Sequence, residues 1–256
     1  MGESTGPVAV VLPSDSGGAA ALLALASAIA PRPPGAAGGR VLAFHDERAW
    51  QADEVRAFTA RAGIELRASG RGWQECITAI TEAGAGLLLV DWEDWLGPDC
   101  LPYRQPAGVF AAQAPCDVAI VKGAGLGEVR QILLPVRGGP QGLLTLRMAM
   151  TLADCYDASI TLLHVEQPGL RPADDAAVRA QLDALLAGGA QPTRAQPAIV
   201  IAGSVESAIA AEAEEHQVTI MGASPGDPGT PLLLGPVAEA VAERVPGTLI
   251  IVKARE

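Results

Sequence analysis

Two segments of this chain, Ala-Pro-Cys-Asp-Val-Ala-Ile-Val-Lys at 114–122 and Val-Pro-Gly-Thr-Leu-Ile-Ile-Val-Lys at 245–253, follow one pattern, and each closes a series of elements running in the same order. The first series holds the apolar runs Val8–Leu12, Val41–Phe44, Leu87–Val90 and Val118–Val121. The second holds Ile132–Pro135, Ile160–Leu163, 197–202, Thr219–Met221 and Leu249–Val252. Short, unbroken apolar runs bounded by Pro, Gly or Asp suit parallel strands buried on both faces. Helical stretches are expected between them at 18–30, 47–61 and 73–83, and then at 142–154, 172–187, 204–215 and 236–244. Strands alternating with helices imply an α/β fold with doubly wound parallel sheets. Further matches tie the halves together: Leu12-Pro13 with Leu134-Pro135, and Leu22–Leu25 with Leu143–Leu146. The expected division is a tandem of domains at 1–124 and 125–256, and Gly123-Ala124-Gly125-Leu126-Gly127 reads as the connection between them.

At 256 residues, 49% hydrophobic and 18% charged, the chain has a globular composition. Its net charge of −11 leaves no concentration of Lys and Arg to neutralise a phosphate backbone, so nucleic acid is not an expected partner, nor is an anionic membrane surface. Cys76, Cys100, Cys116 and Cys155 show no C-x-x-C spacing and no interleaved His, which argues against a zinc site or a disulfide framework. No run reaches the roughly 18–20 apolar residues of a membrane span, and the N-terminus lacks a basic leader. A soluble, reduced, cytoplasmic chain is expected, either alone or as the soluble part of something larger.

Several segments resemble the universal stress protein family. Val-Val-Leu-Pro-Ser-Asp-Ser at 10–16 and Ile-Leu-Leu-Pro-Val-Arg-Gly at 132–138 are similar to its opening strand. Leu-Leu-His-Val at 162–165 is similar to the end of its second strand, and Ala-Pro-Cys-Asp-Val at 114–118 to the segment before its last. The resemblance implies two Rossmann-like domains, each a five-stranded, mostly parallel sheet. It also implies that the last strands, Val118–Val121 and Leu249–Val252, pair across the halves as a pseudo-dimer, with a further homodimer open.

Nucleotide-binding members of that family carry Gly-x-x-Gly, a nine-residue spacer, and Gly followed by Ser or Thr. Glycines there admit phosphate to backbone N–H groups, and the hydroxyl stands at a helix start. The second half reads Met-Gly-Ala-Ser-Pro-Gly-Asp-Pro-Gly-Thr-Pro-Leu-Leu-Leu-Gly-Pro-Val at 221–237. Gly222 and Gly235 hold the first and third glycine places, whereas Pro225 and Pro236 replace the second glycine and the hydroxyl, each removing an amide donor. Ser224, Gly226 and Gly229 are candidates to compensate. Val136 and Arg137 stand where the family contacts adenosine, with Arg137 in place of an Asp. ATP or another adenine nucleotide is therefore the candidate ligand. The first half keeps Asp15 but has Asp91-Trp92-Glu93-Asp94-Trp95 where the loop should follow.

Asp91, Glu93 and Asp94 lack the Asp-x-Asp spacing of a phosphatase nucleophile and are expected to form a solvated loop rather than a metal site. His45 and His164, at matching strand ends, are expected to serve the fold. No nucleophile signature or triad emerges, so no catalytic residue is assigned. Three functions stay open: a nucleotide-linked regulatory module, a ligand-free scaffold, and a slow nucleotide hydrolase. The stretch 114–167 also resembles the cytoplasmic tails of amino-acid permeases and other cation-coupled transporters, which makes a membrane transporter a candidate partner or fusion.

Overall fold

The run Val8–Val11 is buried along its whole length, as a strand flanked by strands and covered on both faces must be. The computed structural model describes residues 6–12, 16–32, 39–46, 53–69, 73–92, 113–123, 125–137, 140–168, 180, 183–184, 194–223 and 234–255. These fall into two compact units, Met1–Gly125 with Ala254–Glu256, and Leu126–Lys253.

The first unit runs β1 (Val8–Val11), α1 (Ser16–Ile29), β2 (Val41–Asp46), α2 (Asp53–Ala62), β3 (Glu65–Ser69), α3 (Trp73–Glu82), β4 (Leu87–Asp91) and β5 (Asp117–Lys122). Its strands lie in the order β3-β2-β1-β4-β5, and every pairing among them is parallel. The second unit runs β6 (Gln131–Pro135), α4 (Pro140–Tyr156), β7 (Ser159–Glu166), β8 (Ala195–Ile201), α5 (Val205–Ala213), β9 (Val218–Gly222), α6 (Pro236–Arg244) and β10 (Thr248–Lys253). Its order, β8-β7-β6-β9-β10, repeats that of the first unit strand for strand, again with parallel pairs. The helix expected at 172–187 lies almost wholly outside the described residues, of which Ala180, Asp183 and Ala184 are helical.

In each unit the winding leaves the first strand in one direction and later returns to its other side. Right-handed crossovers then put helices on both faces. The reversal falls between β1 and β4 and between β6 and β9, the switch points at which such sheets open a crevice.

Local chemistry sets the element ends. On α1, Ala19, Leu22, Leu23 and Ala26 form a buried i, i+3, i+4, i+7 stripe. Helix α2 stops at Gly63 (φ 67°), with Ile64 N–H donating to Thr59 O at 2.9 Å. Helix α3 stops at Gly84 (φ 62°), with Ala85 N–H donating to Ile80 O at 3.1 Å. Both are left-handed caps that return hydrogen bonds to carbonyls the helix leaves open. Asp157 (φ 57°) fills the same role after α4 and is held by Arg194 at 2.7 Å.

Strand β3 has no counterpart among the apolar runs of the first half. Glu-Leu-Arg-Ala-Ser alternates rather than running apolar, because β3 is an edge strand with Arg67 paired to Glu65 at 2.8 Å. The Arg67 hydrogen bond, ahead of weaker help from Arg40, holds the Glu65 carboxyl below its usual range. Among the described residues no helix is long and apolar enough to cross a membrane.

Candidate functional site

The switch point of the second unit is lined first by the residues that follow β6. Val136 N–H donates to Leu163 O at 2.8 Å, and Val136 O lies 3.2 Å from His164 Nδ1. A carbonyl only accepts, so Nδ1 is the donor in this contact. His164 is therefore a strut between the ends of β6 and β7, the fold role expected from its position. Val136 has both backbone groups committed to β7. Arg137 is exposed, and no described residue bonds its guanidinium.

Gly222 ends β9 opposite Val252, and Ala223 N–H donates to Val252 O at 2.8 Å. A Cβ at Gly222 would lie 2.8 Å from Gln141 Oε1 and 3.2 Å from Gln141 Cβ. Here the glycine has a packing cause: the first turn of α4 lays Gln141 across it. Gly222→Ala is expected to cost about 1 kcal/mol by overpacking. Thermal denaturation checks this, and Gln141→Ala in the same chain should recover part of the loss, since Oε1 goes while Cβ stays. No loss in the single variant would mean that Gln141 swings aside freely.

Helix α6 opens at Gly235 (φ 83°, ψ 157°), a backbone region that essentially only glycine enters. No side chain caps this helix, in contrast to α5, where Ser204 Oγ accepts from Ser207 N–H at 3.1 Å. Pro236 at the first helical position has no N–H, so the open donors of this turn are the amides of Val237 and Ala238. Burial and then the neighbouring Glu243 raise the Glu239 carboxyl above its usual range. Ser224, Gly226 and Gly229 lie outside the described residues.

In the first unit Asp91 ends β4 opposite Val121, and Trp92 is buried at 6% exposure. Asp15, Glu93, Asp94 and Trp95 lie outside the described residues. No group of His, Cys, Asp or Glu that could hold a metal occurs among the described residues. Cys116 is buried before β5, and desolvation, with a lesser push from Asp117, raises its thiol to about 12. A thiol so raised has little thiolate at neutral pH and is no nucleophile.

Two residues of the second unit had no signal in the sequence pattern: Gln141, an ordinary polar residue in a helix start that lies against Gly222, and Glu166, the last residue of β7.

A parallel sheet in this strand order, with a glycine turn leading into a helix beside the switch point, defines a doubly wound, Rossmann-like α/β domain. Residues 128–253 match the model of the universal stress protein family, and that part of the chain is a domain of the family. Solved structures share the fold over nearly the whole chain. The cytoplasmic domain of a prokaryotic cation chloride cotransporter is 13% identical with a TM-score of 0.66, covering 96% of this chain and 95% of that one. A universal stress protein from Archaeoglobus fulgidus DSM 4304 is 14% identical with a TM-score of 0.64, covering 99% and 98%. A functionally unknown protein from Pseudomonas aeruginosa PAO1 is 18% identical with a TM-score of 0.62, covering 97% and 92%. No curated protein sequence matches the chain.

Proposed function

We propose that this chain is a non-catalytic regulatory module of the universal stress protein type, in which the second unit binds ATP or another adenine nucleotide. The observation that carries the reading is the start of α6. Gly235 takes a glycine-only conformation there, and the helix presents two open amides at its positive end, in a stretch whose sequence parallels the family's phosphate loop. Arg137, exposed and bonded to no described residue, supplies a cation for a phosphate in place of the missing Asp. The nucleotide contacts proposed are Val136, Arg137, Gly222, Ser224, Gly226, Gly229 and Gly235, from a domain spanning 125–256. The first domain, 1–124, supports the module without a ligand. In the proposal the last strands of the two halves pair, the chain works in the cytoplasm, and a membrane transporter is its partner or fusion. Likeness to the cotransporter's cytoplasmic domain supports that last element.

A second reading, a ligand-free scaffold, is favoured by Pro236, which removes a donor where a phosphate would need it. Calorimetric titration with ATP, ADP, AMP and cyclic dinucleotides separates the two, run on the native chain and on Pro236→Ser. Micromolar ATP binding, tightened about tenfold by the restored amide and hydroxyl, is expected. No heat from either protein at millimolar ligand would establish the scaffold. Valine at Gly222 or Gly235 would be a poor probe, since Gln141 opposes any Cβ at the first and the backbone angles oppose one at the second.

A further inference from the structure

Glu166 closes β7, the second strand of the second unit, and its Oε1 is shut off from solvent with no hydrogen-bond donor among the described residues. Buried polar oxygens nearly always have a partner, and one without calls for an explanation. The neighbouring backbone does not supply it, because Ala202 N–H is spent on Glu166 O at 2.9 Å.

Register places the side chain on the face of the sheet that carries Gly222. Ile132 lies opposite both Ile160 and Val218, so Ile160, Leu162, His164 and Glu166 share a face with Val218, Ile220 and Gly222. That is the face over which Gln141 meets Gly222. Glu166 also stands opposite Ile201, which is 70% exposed, so it sits at the rim rather than within the core. In doubly wound sheets the crevice opens outside the carboxyl ends of the strands, and in dinucleotide-binding ones an acidic side chain beyond the first βα turn takes the ribose hydroxyls.

We propose that the Glu166 carboxylate accepts the ribose hydroxyls of the nucleotide bound by the second unit, the task for which Arg137 has no acceptor. This rests on the nucleotide reading above and adds the group that reads the sugar. An ionised carboxylate only accepts, so the recognised group must be a donor, and a ribose diol offers two.

The test is calorimetric titration of the full chain with ATP and with its dideoxyribose analogue, on the native protein and on Glu166→Ala. Native protein is expected to prefer ATP about tenfold, the worth of one charge-assisted hydrogen bond. Glu166→Ala should bind both ligands alike, at the weaker level. Its melting temperature without ligand should equal or exceed that of the native chain, because an unsatisfied oxygen has been removed. If it melts lower, Glu166→Met, which keeps the length of the side chain and has no carboxylate acceptor, carries the same comparison. Equal binding of both ligands by the native chain, or a tenfold preference kept by the variants, would overturn the role of Glu166 and leave nucleotide binding standing. No binding of either ligand by the native chain would remove both.

Discussion

Truncating Leu134 to alanine is expected to destabilise the second unit by about 2–5 kcal/mol and to take nucleotide binding with it. Leu134 is fully buried in β6, opposite Leu162 of β7. The lost side chain leaves a cavity beside the residues that position the crevice, since Pro135, Val136 and Arg137 follow directly. Domains of this size hold on the order of 5–15 kcal/mol in total, so the loss is a large share of what keeps the unit folded. Urea denaturation should show a lower midpoint at an unchanged slope. A loss below about 1 kcal/mol would mean that the site collapses readily and that β6 is more loosely packed than its burial implies.

Phe44→Ala should be the costliest single truncation in the first unit, at about 3–5 kcal/mol. Phe44 is 1% exposed on β2, opposite Val11 of β1 and Arg67 of β3, and is the largest of the fully buried side chains among the described residues. The chain has only three Phe, so little else of that volume is at hand to refill the space. Scanning calorimetry measures the shift of the affected transition. Every residue of the proposed site belongs to the second unit, so nucleotide affinity measured below that transition is expected to equal that of the native chain. A tenfold weaker affinity there would place part of the ligand's contacts in the first unit.

Much of the architecture could be read before any coordinates were known. Parallel strands covered on both faces must be apolar throughout, so β1, β4, β5, β6, β9 and β10 announce themselves as runs, with ends shifted by a residue or so. Pro236 marks the start of α6 because a helix tolerates proline best in its first turn. Strand β3 escaped because an edge strand needs only one apolar face and five residues of alternation look like a loop. The likeness of the halves was visible as repeated words, and the identical strand order of the units follows it.

The site was legible only in part. Gly222 and Gly235 became candidates through the resemblance to the family's loop, yet the structural reasons for those glycines differ and neither is visible along the chain. Gly235 is set by its backbone angles at a helix entrance, and Gly222 by Gln141 lying across it from another helix. His164 as a strut for Val136, and the orphaned oxygen of Glu166, depend on which strand ends are neighbours. Element type is written in local periodicity, because burial on one face or two repeats every few residues along the chain. What surrounds a given side chain is decided by the winding of the sheet, which brings β6 between β7 and β9, and no local pattern in the sequence encodes that adjacency.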